Sequence, residues 1–327
     1  MIDKKLRIGM YAGSWPQNIG NAFFDFGAEA IIRKAFPDAE IFRMGGAVHW
    51  MFNNSARTRF GVLGKVVRKL LPIHHPVNGN SFEIGQFADI DLLVFPGMSM
   101  CEEFAVNNGP TFIEASKRGV AVLGLGAGGS LYTQREVEKF SEFFNKLQKA
   151  AIVTRDDETF RLFKDSIAKI VPGIDCAFFL PDYFNAPKLD LLPYEVVTFD
   201  ATNPPNELRN PKPGRWFTHH DLWGPLPKRY TSVKGTLVSD VPEDYLSLYA
   251  NCDTTYSDRV HACIASLAYG NKAQLFSDTP RKALFAKLKL DQITKTPVRL
   301  DEALVGSLKL EQIEKTRNVV KELLYND

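Results

Sequence analysis

Apolar residues in this chain gather in short continuous runs rather than alternating with polar ones. The runs at 6–12, 90–95, 119–126 and 150–155 have the length and composition of strands buried on both faces. Between them, apolar positions recur three and four apart. Phe23, Phe26, Gly27, Ala30 and Ile31 trace one stripe, and Val137, Phe140, Phe144 and Leu147 another. That spacing is one face of a helix. Further helices are expected at 111–118 and from Asp156 through Phe163. Strands that are each followed by a helix, with no hairpin turn between them, predict a parallel sheet covered on both sides.

Residues 174–182 close this half, and the Pro-bearing segment 181–193 reads as a linker. The second half repeats the alternation, with strands at 194–199, 235–239, 252–256 and 273–276. Helices are expected at 242–250, at 258–269, around 280–288 and around 310–324. Between the first two strands, residues 203–229 hold six prolines together with Trp216, His219, His220 and Trp223. That stretch reads as irregular, and a loop of such length is often functional. The fold class is therefore α/β, with two Rossmann-like parallel-sheet units at 1–185 and 186–327, each of ordinary domain size.

The stretch from Ser257 to Gly270 carries the most chemistry. Val260, Cys263, Ile264, Leu267 and Ala268 face one way, Ser257 or Asp258 can cap the start, and Gly270 suits a left-handed close. Arg259 and His261 then fall in the first turn of a helix that follows a strand. Unpaired backbone N–H groups and the positive helix end point at the same place, which describes an anion site. The dipole contributes roughly 0.3–1 kcal/mol, whereas a charge-assisted hydrogen bond contributes roughly 1.5–3 kcal/mol. Arg259 is accordingly the expected anchor, and the alternative is an arginine on a solvated turn beside a core histidine. Arg155, at another strand–helix junction, is either a second anion ligand or a partner of Asp156. Small-residue loops at strand ends, including Gly13–Asn21, Pro96–Met100 with Gly97 and Ser99, and Ala127–Ser130, can present further N–H groups. None of them spells G-x-G-x-x-G, so a dinucleotide is not indicated.

Composition narrows the class. The 327 residues are 45% hydrophobic and 24% charged, with a net charge of +2. That is a soluble globular balance with no global field for nucleic acid. The chain runs into its first strand without a secretory h-region, and no apolar run reaches the length of a membrane span. A cytoplasmic protein is expected. Cys101, Cys176, Cys252 and Cys263 show no C-x-x-C spacing, which reads as reduced buried thiols and no metal. Residues 57–71 form a basic amphipathic pattern, Leu63, Val66, Val67, Leu70 and Leu71 opposite Lys65, Arg68 and Lys69. Such a helix fits either a solvated face or peripheral contact with an anionic membrane surface.

Taken together, these motifs resemble the polysaccharide pyruvyl transferase family over most of the chain. Ser257-x-Arg259-x-His261-Ala262, with Gly270 closing the helix, is similar to the family's S-x-R-x-H signature. Asn18-Ile19-Gly20-Asn21 is similar to its G-N-x-G-D turn. Val153-Thr154-Arg155-Asp156 with Thr159, and Asp175-Cys176-Ala177-Phe178, are similar to two further junctions. Departures are Asn21 in place of an aspartate, Pro96-Gly97-Met98-Ser99 in place of a glycine-rich turn, and the Pro-rich loop.

The resemblance implies a glycosyltransferase-B-like arrangement with the site in an interdomain cleft, the first unit on the acceptor side and the second on the donor side. It implies transfer of the pyruvyl group of phosphoenolpyruvate to a sugar or lipid-linked oligosaccharide as a ketal, with phosphate released and no cofactor. The product would belong to polysaccharide or cell-surface glycan synthesis. His261 and Arg259 would be catalytic. Ser257, Arg155, Asn18, Gly20, Asn21, Gly97, Ser99, Asp175 and His220 would surround the substrates, with Asp175 and His220 candidates for the remaining proton transfers. A dianion beside His261 would favour its protonated form, able to protonate leaving phosphate. The alternatives are a nucleotide-sugar glycosyltransferase of the same fold and a non-catalytic glycan- or phosphate-binding relative. The E-x7-E pair common in the former is absent, because Asn251 stands eight residues after Glu243.

Overall fold

A computed structural model describes residues 5–13, 15, 18–45, 83–221 and 233–325. The basic stretch at 57–71 and Trp223 lie outside the described residues. The first unit is a six-stranded sheet of β1 (Arg7–Ala12), β2 (Glu40–Gly45), β3 (Leu92–Pro96), β4 (Ala121–Ala127), β5 (Ala150–Thr154) and β6 (Ile170–Val171). Its order is β2-β1-β3-β4-β5-β6, and every pairing is parallel. Helices α1 (Gly20–Ala35), α2 (Glu102–Lys117), α3 (Gln134–Phe144) and α4 (Asp157–Phe163) cover it. The second sheet contains β7 (Glu195–Thr198), β8 (Arg215–Thr218), β9 (Thr236–Leu237), β10 (Thr254–Ser257) and β11 (Lys272–Leu275), in the parallel order β11-β10-β7-β8-β9. The longer helices of this half are α5 (Pro242–Asn251), α6 (Val260–Ala268) and α7 (Glu302–Tyr325), with short ones at Leu180–Tyr183 and Ala283–Ala286.

In each sheet the winding reverses once, between β1 and β3 in the first and between β7 and β10 in the second. Crevices at the carboxyl ends of strands open at such switch points, and here the two face a common cleft. One apolar core runs through both units. It passes from Ile8, Phe23 and Val94 through Phe178 to Val196, Tyr249 and Leu267. Burial of each such side chain contributes roughly 1.5–3 kcal/mol. Gly27 permits the joint: a Cβ there would lie 1.8 Å from the Cys176 carbonyl oxygen, so α1 and the turn Cys176–Phe179 meet backbone to backbone. The opposite face of the first sheet packs a phenylalanine cluster that includes Phe104, Phe112, Phe140 and Phe163.

Three expectations change. Strand β2 is an edge strand with mostly exposed positions, so it lacks an apolar signature. Strand β8 and the single-turn helix Asn206–Arg209 lie inside the stretch expected to be irregular, where the surrounding prolines mask a four-residue strand. Helix α2 begins at Glu102 and carries Pro110 in its interior, where a break is the usual reading. Helix α7 runs back over the first unit. Its Gln312 accepts from the Ile174 N–H and donates to the Ile174 carbonyl at 3.0 Å, and Arg317 Nε donates to the Ala35 carbonyl at 3.0 Å. No helix among the described residues is long and apolar enough to cross a membrane.

Candidate functional site

A cavity of about 320 Å³ opens at the carboxyl ends of β1 and β3, closed from the second unit by His261 and Arg281. Its walls mix polar and aromatic groups, with Asn18, Asn21, Gly97, Ser99 and Ser130 beside Phe24, Phe95 and Phe104.

Two arginines face this space. Arg155 ends β5 and is 5% exposed. Gly128 gives it room, since a Cβ there would fall 2.0 Å from Arg155 Nε. Its Nη2 donates to the Gly129 carbonyl at 2.8 Å, while its buried Nε has no hydrogen bond among the described residues. Asp156 forms a buried ion pair with that Nε at 3.7 Å, the pairing the sequence offers as an alternative. It caps α4, accepting from Thr159 N–H at 2.6 Å, Thr159 Oγ1 at 2.9 Å and the Tyr132 hydroxyl at 3.0 Å. Arg281 comes from the turn Pro280–Lys282, beyond β11, and has no ion pair among the described residues. Burial lowers its pKa, and the charge of Arg155 lowers it further. Arg155 thus has a carboxylate partner and Arg281 has none among the described residues, so Arg281 is the cation that a bound anion would complete.

His261 enters from α6. The N-cap of this helix is Arg259 rather than Ser257 or Asp258, and no side chain among the described residues caps it, which leaves first-turn N–H groups open. Asp258, a candidate cap, instead accepts from the N–H groups of Asp200, Ala201 and Thr202. Ser257 is buried and shapes the bend into the helix. Its hydroxyl donates to the Thr198 carbonyl at 2.7 Å and accepts from Arg259 N–H at 2.8 Å. Gly270 closes α6 at φ +84°, as expected. The His261 ring lies 5.3 Å from the Phe24 ring, with Nε2 3.7 Å from Asp175 Oδ2. Burial resists ionisation of Asp175, but His261, Arg155 and the Ala177 N–H prevail and hold its pKa below the usual carboxylate value.

Arg259 is placed differently from the anchor the sequence suggests. It is absent from the cavity lining; its Nε donates to Asp200 Oδ2 at 2.9 Å and its Nη2 to Asp221. Asp200 is also bound at Oδ1 by His219 Nδ1, 2.9 Å away. Burial opposes the Asp200 charge, yet His219 and Arg259 bring its pKa down to about 2. His220 is 1% exposed and also stands outside the lining. Its Nε2 lies 2.8 Å from the Tyr249 hydroxyl, its ring packs edge-on to Phe23, and its carbonyl accepts from Ile19 N–H at 3.0 Å. Burial first, and nearby Arg259 and His261, push its pKa down to about 3. It is a neutral joint between the units rather than a base facing the cleft.

Of the residues singled out from sequence, Asn18, Asn21, Gly97, Ser99, Arg155 and His261 converge on the cavity. Gly20 starts α1 at the rim, its N–H donating to Asn18 Oδ1 at 3.0 Å, and Asp175 sits behind His261. Ser257, Arg259 and His220 form the layer outside. The sequence reading misses Arg281 and Asp25. Arg281 lies in an Arg-Lys pair that resembles ordinary surface. Asp25, between Phe24 and Phe26 on an apolar stripe, did carry a signal, because an acid at a core position needs a reason.

The comparisons agree with this architecture. The chain resembles UDP-N-acetylglucosamine 2-epimerase from Rickettsia bellii with a TM-score of 0.52 at 13% identity, over 99% of this chain and 100% of that one. It resembles the S. aureus MnaA–UDP structure with a TM-score of 0.53 at 9% identity, over 98% and 97%. At such identities the likeness is one of fold, two parallel-sheet α/β units arranged as in glycosyltransferases of the B type. No curated protein matches the chain significantly. A family model for polysaccharide pyruvyl transferases matches residues 18–271, spanning the first loop, Arg155, Asp175 and the whole of α6. The chain belongs to the polysaccharide pyruvyl transferase family.

Proposed function

We propose that this protein takes the pyruvyl unit of phosphoenolpyruvate and joins it to two hydroxyls of a sugar as a ketal, releasing phosphate. The observation that supports this most is the gathering of cationic groups around a small cavity. Arg155, Arg281, His261 and the open end of α6 gather around about 320 Å³. Phosphoenolpyruvate places a carboxylate and a phosphate on one three-carbon frame, and planar guanidinium groups suit both. In this reading Arg155 and Arg281 grip the two anionic ends, and His261 gives its proton to the departing phosphate. Arg259, neutralised by Asp200 and Asp221, acts on the donor only through its field. The aromatic and amide wall at Phe95, Phe104, Asn107 and Asn108 suits a sugar ring as acceptor.

Calorimetry with phosphoenolpyruvate and, separately, UDP-N-acetylglucosamine tests the reading. Binding of the first but not the second is expected, and Arg281→Ala should weaken it roughly 10–100-fold. Binding of the nucleotide sugar alone would replace the pyruvyl reading with a glycosyl one. A lipid-linked acceptor, with Lys65, Arg68 and Lys69 against an anionic bilayer, predicts co-sedimentation with anionic vesicles at low salt, lost in high salt.

A further inference from the structure

We infer that Asp25 is the acid that protonates the methylene carbon of phosphoenolpyruvate, an assignment that rests on the pyruvyl-transfer reading above. Asp25 lies in the second turn of α1 and is 5% exposed, yet it lines the same cavity as Arg155, Arg281 and His261. The Gly13 N–H at 3.1 Å and the Trp15 indole N–H at 2.7 Å both donate to its Oδ2. No donor among the described residues meets Oδ1, so that oxygen is the one able to carry a proton. The charged and titratable groups packed around it are Glu29 on α1, Arg43 on β2 and the Cys176 thiol on the turn behind. Burial dominates them and carries the Asp25 pKa up to about 7, where a carboxyl can donate and recover a proton at neutral pH. The other candidates in the cavity are committed or wet. The Tyr11 hydroxyl bonds to Glu83, Glu103 is exposed, and His261 is the group that serves the phosphate.

The chemistry needs such a group. Asp25 gives its proton to C3 of phosphoenolpyruvate, the C2–C3 double bond becomes a methyl group on C2, and C2 becomes an oxocarbenium centre. The first sugar hydroxyl adds to C2, and its proton returns to the Asp25 carboxylate. The C2–O bond to phosphate then breaks, the second hydroxyl adds, and its proton leaves on the phosphate by way of His261. One proton ends on the methyl group and one on phosphate, and Asp25 is regenerated.

Asp25→Asn keeps an oxygen acceptor for Gly13 and Trp15 while removing the acid, with Asp25→Glu as a second variant that retains it. Two readouts apply. In carboxyl-13C NMR, the resonance missing from Asp25→Asn should titrate near neutrality in the wild type, with or without phosphoenolpyruvate; an ordinary aspartate midpoint overturns the assignment. In D₂O, with phosphoenolpyruvate and a panel of diol-bearing glycosides, phosphate release and methyl deuteration should fall at least 100-fold in Asp25→Asn. Phosphoenolpyruvate affinity should stay within about threefold, and Asp25→Glu should keep more activity than Asp25→Asn. Turnover in Asp25→Asn within about threefold of wild type overturns the assignment and leaves the pyruvyl reading standing. Failure of the wild type to bind phosphoenolpyruvate overturns both.

Discussion

Arg259 and the pair Arg155 and Arg281 lie near one another in this protein and differ in the carboxylates around them. Arg259 holds Asp200 and Asp221, with Asp258 nearby at 3.9 Å. Arg155 and Arg281 face the cavity; Arg155 has Asp156 at 3.7 Å, and Arg281 has no ion pair among the described residues. A buried arginine that already holds carboxylates is finished structure, and removing it strands its partners. An arginine at a cavity without a carboxylate of its own, as Arg281 is, is open to an anionic ligand. The difference teaches that an arginine within a recognised motif and an arginine that can grip a ligand are separate questions. Charge bookkeeping around each side chain answers the second.

The contrast can be broken by experiment. Arg259→Ala should cost about 3 kcal/mol of stability by taking the guanidinium from buried Asp200 and leaving it only His219 and the His220 N–H, read as a lower urea midpoint with unchanged slope. If that variant instead folds normally and loses phosphoenolpyruvate binding, Arg259 belongs with the ligand after all. Arg155→Ala and Arg281→Ala should each weaken phosphoenolpyruvate by roughly 1.5–3 kcal/mol in calorimetry. The Arg281 variant should melt no lower than wild type, because the change relieves repulsion from Arg155. A lower melting point would mean that Arg281 has a structural partner. The smallest effect concerns His220. Protonation occurs in the unfolded chain near about 6.5, whereas the folded ring resists it down to about 3. Stability from this residue is therefore complete above about 6.5 and drains away as pH falls toward about 3. One unit below the free value, His220→Asn should lose about 1.4 kcal/mol less than wild type does on acidification. Parallel pH curves for the two proteins would contradict a neutral joint.

Much of the fold is legible in the sequence because the signals are local and repeated. Strand β4 is buried at every position and is written as an unbroken apolar run, while α6 carries both its stripe and its closing glycine. What escapes is what depends on distant partners. Strand β2 is specified by its pairing with β1 rather than by its own alternation, and β8 is specified by β7 in the same way. The site divides along the same line. His261 and Arg155 stand at junctions whose geometry follows from the strand–helix pattern. Arg281 reaches the cavity only because the segment after β11 folds back over it, which no local spacing encodes. The raised pKa of Asp25 likewise follows from its burial in the fold, which no local spacing encodes.

Helix α7 carries one more consequence. The chain leaves the first unit near residue 185, builds the second sheet, and then returns to dock Gln312 and Arg317 against the first. Two covalent crossings therefore join the units, so they can bend about a line but not swivel about a point. A protease that cuts once between residues 185 and 193 would sever the chain without separating its halves. The downstream fragment would keep its grip on the upstream one, and the cleft between them would stay assembled.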